Sequence, residues 1–111
     1  TNQPQMLEQA LSHSLAIYLA LDGDAVVGLV RLVGDGFSSI FVQNLIVLPS
    51  YQRQGIGSAL MRKALRDFKD AYRVQLATDQ TEKNLEFYRS LGFETLSTYD
   101  CTGMIWVERK K

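Results

Sequence analysis

The chain has 111 residues, 46% of them apolar, which is enough for one core and too few for two. Its 12 basic and 12 acidic residues balance to zero net charge, which excludes the global field that draws nucleic acid or acidic membranes. No apolar run approaches the roughly 18 residues of a membrane span, the polar start TNQPQMLEQ lacks the order of a signal peptide, and one cysteine with one histidine provides neither a disulfide nor a metal-ligand cluster. The expectation is a single cytoplasmic domain over 1–111, with no metal and no nucleic-acid or membrane partner.

In chain order, Pro4 opens a predicted helix from Gln5 to His13, with Met6, Leu7, Ala10 and Leu11 along one face. LAIYLALD (15–22) and AVVGLVRLV (25–33) are strand-like and meet across Asp22-Gly23-Asp24, a hairpin signal. Gly34-Asp35-Gly36 turns the chain into a long strand, FSSIFVQNLIVL (37–48). Links this short predict three consecutive antiparallel strands. After Pro49 the period changes: Ile56, Leu60 and Ala64, with Met61, Leu65 and Phe68, form an apolar stripe at helical spacing. YRVQLAT (72–78) alternates Tyr72, Val74 and Leu76 as a strand, and TEKNLEFYRSLG (81–92) reads as a helix ended by Gly92. FETLSTY (93–99) and CTGMIWVER (101–109) are expected to close the chain as a terminal hairpin. The order α-β-β-β-α-β-α-β-β predicts a mixed α/β (α+β) fold, a mostly antiparallel central sheet flanked by helices.

The stretch LIVLPSYQRQGIGSAL (45–60) places two glycines where a helix should start. A helix N-terminus presents unpaired N–H groups and about half a positive charge. If Gly55 and Gly57 remove side chains from the entry turn, a phosphate can approach those groups directly, with Arg53 adding a cation and Ser58 a hydroxyl. The simplest alternative is a turn and a helix start with no ligand. A dinucleotide-binding Gly-x-Gly-x-x-Gly turn is disfavoured, because Leu60 stands at the third glycine position and Pro49 to Gln54 separate the strand from the first. Asp79, about 20 residues further on, does not repair those faults as a ribose ligand. A P-loop needs Gly-Lys-Ser/Thr, which does not occur.

The same stretch resembles the acyl-coenzyme A site of the GNAT N-acetyltransferase superfamily, whose signature Q/R-x-x-G-x-G/A is met by Gln52-Arg53-Gln54-Gly55-Ile56-Gly57. FYRSLGFE (87–94) resembles the family's second motif, about thirty residues on with one strand between. The order of elements agrees from about residue 5 to the C-terminus. The family's usual first strand and long helix are missing at the front, and truncation is the favoured explanation.

That resemblance implies acetyl-CoA as co-substrate and an amine acceptor. Backbone N–H groups from Arg53 through Gln54, Gly55, Ile56 and Gly57 to Ser58 would cradle the pyrophosphate. A bulge in the preceding strand would splay it from its neighbour, and the pantetheine arm would pair with Leu45, Ile46 and Val47. The N–H of either Leu45 or Ile46 would polarise the thioester carbonyl. Many relatives carry a glutamate base on the central strand. Here Gln43 and Asn44 stand there and can only position a water. Asp35 is a remote candidate base that more naturally serves its own turn, and His13 belongs to a polar surface, so the base is not assigned. Tyr88 matches the family's proton donor to the departing thiolate. Its alternative is a tyrosine with its ring in the core and its hydroxyl at the edge. Thr81 aligns with a coenzyme-contacting asparagine, and Asn84 falls one turn later.

Cys101 reads as a buried structural thiol. Met104, Ile105 and Trp106 read as core or interface residues, and the apolar C-terminus would suit a homodimer. Arg31, alone in an apolar strand, suits either an acceptor cleft or a strand-edge salt bridge. Acetyl transfer to an amine by direct transfer in a ternary complex is the expected function. A non-catalytic acyl-CoA binding or sensing module is the alternative, and a nucleotide-binding domain is a more distant one.

Overall fold

The turns come first, because they set the sheet. Residues 3–108 are described by a computed structural model. Helix α1 (Gln3–Ser12) leads into β1 (Ala16–Asp22), which pairs antiparallel with β2 (Ala25–Gly34). Only Gly23 and Asp24 separate Asp22 from its partner Ala25, and Gly23 supplies the positive φ (62°) that so short a loop needs. At the next turn the Asp35 carboxylate accepts from the N–H groups of Phe37, Ser38 and Ser39 at 2.8, 2.8 and 3.1 Å and from the Ser38 hydroxyl at 2.5 Å. This brings β3 (Ile40–Val47) back antiparallel to β2. The expected three-stranded meander is therefore formed.

Helix α2 (Ile56–Asp67) then crosses over to β4 (Val74–Leu76), which pairs parallel with β3, giving a four-stranded sheet in the order β1-β2-β3-β4. The stripe predicted for α2 does face inward: Leu60, Met61 and Ala64 are buried against Val30, Leu32, Ile40 and Val42 of the sheet. Gly28 permits this approach. A Cβ at that position would stand 3.1 Å from Ile56 Cγ2 and 3.2 Å from Leu60 Cδ1. The Tyr18 hydroxyl of β1 donates to Asp67 at the far end of α2, at 2.9 Å. On α1, by contrast, Met6, Leu7 and Leu11 are all exposed. No described helix is long and apolar enough to cross a membrane.

The chain divides into two compact units, one up to Thr78 and one from Asp79. In the second, helix α3 (Glu82–Ser90) is followed by a 3-10 turn (Leu96–Tyr99). The expected terminal hairpin is not formed: residues 101–108 have no regular structure, and Arg109 lies outside the described residues. The amides a ladder would need are spent locally. Asp100 N–H bonds to Ser97 O and Cys101 N–H to Leu96 O, while Asp100 itself turns left-handed (φ 60°). The hydroxyls of Thr95, Ser97 and Thr98 bond to one another, the local competition that such residues offer to strands. Without a hairpin, Cys101 is exposed rather than buried. Met104, Ile105 and Trp106 are likewise surface residues rather than core, Trp106 being 83% exposed.

Candidate functional site

The register of β3 against β2 runs from Val47↔Gly28 to Asn44↔Arg31 and then jumps to Val42↔Leu32. Gln43 is the extra residue of a β-bulge. On the other edge, β4 pairs with β3 only from Ile40↔Val74 to Val42↔Leu76. Pairing therefore stops where the bulge begins. Beyond it, the alternation of the ladder decides which backbone groups are free. Leu48 N–H donates to Val27 O at 2.9 Å, so Ile46 and Asn44 also bond toward β2, and Leu45 and Val47 turn their N–H and C=O toward the opposite edge. Among the described residues no strand pairs with that edge. Of Leu45 and Ile46, the parity leaves only Leu45 with its N–H facing the open edge.

Past β3, a 3-10 turn (Pro49–Tyr51) carries the chain into the loop before α2. Two side chains brace it. The Tyr51 hydroxyl donates to Asp22 at the end of β1 at 2.5 Å, and Gln52 Nε2 donates to Val47 O at 2.9 Å. Gln54 Nε2 lies 3.5 Å from Ser50 O. Arg53 (φ 67°) and Gly55 (φ 83°) are both left-handed. Gly55 is the N-cap of α2 and makes no side-chain cap, and no acidic residue occupies the first turn. The first intrahelical bond runs from Ala59 N–H to Gly55 O, so the six N–H groups from Arg53 to Ser58 have no protein acceptor among the described residues. Nothing lies within 4 Å of the place a Gly55 side chain would occupy. The loop has features that suit an anion: N–H groups without a protein acceptor among the described residues, the positive end of a helix dipole, and open space at Gly55.

Neither Gln43 nor Asn44 at the bulge can act as a base. Gln43 is exposed and Asn44 half-buried, and the Asn44 carbonyl oxygen accepts from Arg31 Nε at 2.8 Å. Asp35 serves its turn: the Ser38 hydroxyl and three backbone N–H groups hold its carboxyl well below the usual carboxylate range. A base working near neutral pH needs the opposite shift. His13 is a surface residue whose Nδ1 lies 2.8 Å from Gln9 O.

In the second unit, Thr81 is the N-cap of α3 and its hydroxyl oxygen accepts from Asn84 N–H at 3.1 Å. Thr81 thus has a structural duty that uses one lone pair of its hydroxyl and leaves its proton and a second lone pair for a ligand. Asn84 is half-buried on the same turn. Tyr88 is half-buried between Phe87 and Phe93, edge-on to both rings at 4.9 and 6.0 Å, and burial pushes its phenol above the ordinary 10.0.

The braces Tyr51–Asp22 and Arg31–Asn44 are not visible in the sequence pattern. For the first, the only hint is an aromatic residue just before the glycine motif. For the second, it is a lone arginine in an apolar strand.

A family model described as an acetyltransferase (GNAT) domain matches residues 13–95, a span that runs from β1 through both motifs. A solved GNAT family acetyltransferase, SP0256 from Streptococcus pneumoniae TIGR4, is 80% identical with a TM-score of 0.91, the match covering 96% of this chain and 80% of that one. Histone acetyltransferase TAP1 of Glycine max is 34% identical over 83 residues, 73% of this chain and 35% of its own length. The chain spans about a third to a half of the length of the curated relatives it matches. A GNAT family acetyltransferase from Elizabethkingia anophelis, solved with acetyl-CoA bound, shares the fold at 21% identity and a TM-score of 0.67, over 95% of this chain and 75% of that one.

Proposed function

We propose, from the premise that this chain belongs to the GNAT acetyltransferase family, that it transfers an acetyl group from acetyl-CoA directly to a primary amine of a small molecule or protein in a ternary complex. The observation that carries the proposal is the run of six N–H groups, Arg53 to Ser58, without a protein acceptor among the described residues at the start of α2, where no side chain caps the helix. Those groups suit a pyrophosphate, with the Arg53 guanidinium as counter-charge and Gln52 bracing the loop from behind.

Acetyl-CoA supplies an activated acyl group as a thioester. This chain's own contribution begins with the open edge of β3. Leu45 presents its N–H and C=O, and Val47 its N–H, where an extended amide chain can add as a strand, the Val47 C=O already accepting from Gln52. The Leu45 N–H would then donate to the acyl oxygen and stabilise charge developing there. An alkylamine with a pKa near about 10 is mostly charged at neutral pH and must lose a proton first. Gln43 and Asn44 would order the water that carries the proton away. Tyr88 would return a proton to the departing sulfur, a role helped by a phenol that stays protonated throughout the neutral range. No side-chain nucleophile takes part, so no acyl-enzyme is expected.

Release of the coenzyme thiol across amines, amino acids, polyamines and peptides tests this. Release with at least one acceptor is expected. Tight acetyl-CoA binding with no release for any acceptor would instead favour an acyl-CoA sensor. A thermal shift with ATP or NAD larger than with CoA would return the nucleotide-binding alternative.

A further inference from the structure

Arg31 sits in the middle of β2 between the buried Val30 and Leu32, and is itself half-buried. A guanidinium there has to find oxygen partners. Its three hydrogen bonds all run to neutral oxygens, and each reaches a different segment. Nε donates to Asn44 Oδ1 on the β3 bulge at 2.8 Å. Nη1 donates to Ser14 Oγ in the link after α1 at 3.1 Å, and to Ala10 O in the last turn of α1 at 3.4 Å. The last of these is a carbonyl at the negative end of a helix, where a cation is favoured.

The chemistry of the pair fixes its orientation. Arginine only donates, so Asn44 must turn its carbonyl oxygen to Arg31. The bulge has two candidates for its extra residue, Gln43 and Asn44. Held by Arg31 both across the ladder and through its side chain, Asn44 stays in register, and Gln43 is the residue extruded. Asn44 immediately precedes Leu45, whose N–H faces the open edge.

We propose that Arg31 is a positioning residue for the acyl donor: by holding Asn44 it locks the β3 bulge and sets the direction of the Leu45 N–H. This rests on the acetyl-transfer proposal, because the locked N–H matters only if an acyl oxygen meets it. The phosphate-binding start of α2 lies outside the lock, so coenzyme affinity and turnover should separate.

The test compares wild type with Arg31→Met, Asn44→Leu and the double variant. It uses amide hydrogen exchange with and without acetyl-CoA, CoA titration, and turnover with the fastest amine of the acceptor panel. In the coenzyme-free single variants, exchange at Asn44 and Ile46 should quicken, and the protection that acetyl-CoA confers on the Leu45 N–H should be lost. Turnover should fall about tenfold to a hundredfold, as for a small misplacement of a reacting group, while the CoA dissociation constant stays within about threefold. The double variant should be no worse than the poorer single, because both remove one lock. Wild-type protection and turnover in both single variants would overturn the inference, as would losses that multiply in the double. If Arg31→Met does not fold, Asn44→Leu carries the same prediction with the arginine left in place. Failure of the underlying proposal looks different: wild type itself would release no CoA with any acceptor, whether or not it binds acetyl-CoA. Exchange at Asn44 and Ile46 in the coenzyme-free variants would then still decide whether Arg31 holds the bulge.

Discussion

Gly55 combines a left-handed backbone (φ 83°) with open space where a side chain would stand. Its replacement by alanine should therefore cost only backbone strain, about 1–2 kcal/mol, while adding a methyl group to the turn that carries the unpaired N–H groups. Melting should report that modest loss, and CoA titration a larger loss of affinity than strain explains. Gly57→Val should likewise block the pyrophosphate while leaving most of the fold intact. Tyr88 offers a test in a different variable. Burial raises its phenol above 10.0, so the proton it would donate is retained through neutral pH and lost only in strong alkali. Turnover should hold on the alkaline side until above pH 10.0. Tyr88→Phe should lower turnover at every pH while leaving CoA affinity unchanged. These residues were legible in the sequence for a physical reason: a glycine pair before an amphipathic helix and a tyrosine near a helix end are local patterns. The pairing of Asn44 with Arg31 is not legible there, because it depends on which residue the bulge extrudes, and that is a property of two strands together.

At the scale of elements, the meander was readable because each turn carries its own chemistry: Gly23 in one, the Asp35 carboxylate in the other. The last hairpin was misread because alternation alone does not make a strand when hydroxyls and a left-handed Asp100 close local turns first. How α2 is seated can be tested from two sides. Gly28→Val would press on Ile56 and Leu60, the start of the helix, and should cost about 1–3 kcal/mol as an overpacked contact. Because Ile56 belongs to the loop proposed to hold the pyrophosphate, coenzyme affinity should fall with it. At the other end, the Tyr18–Asp67 bond has a pH window. The hydrogen bond from Tyr18 holds the Asp67 carboxyl below its ordinary 3.8, so its contribution is present above that value and is lost as acid protonates it. Burial, then the bond to Asp67, raises Tyr18 to about 12, so its contribution is complete below 10.0 and fades as pH rises toward 12. Melting temperatures of wild type and Tyr18→Phe should therefore differ between these limits and converge at both extremes.

For the whole molecule, the distribution of exposed apolar residues is the informative property. In the first unit, Ile17, Leu19 and Ile46 share one sheet face with their cross-strand partners Arg31 and Leu29, the face away from α2, and all three are exposed. In the second, Met104, Ile105 and Trp106 form an exposed run with no regular structure. Neither could be foreseen from composition, since 46% apolar residues says how much core is affordable and not which residues are left outside it. Trp106 is the chain's sole tryptophan, so its fluorescence isolates that run. In dilute solution its emission should be solvent-like, fully open to acrylamide quenching and nearly unshifted when urea unfolds the protein. The homodimer expected from the apolar C-terminus makes the opposite prediction at higher concentration. If two copies meet through this run, the emission should move to shorter wavelength and quenching should fall as sedimentation shows the mass doubling. A doubling of mass without any change at Trp106 would place the interface elsewhere.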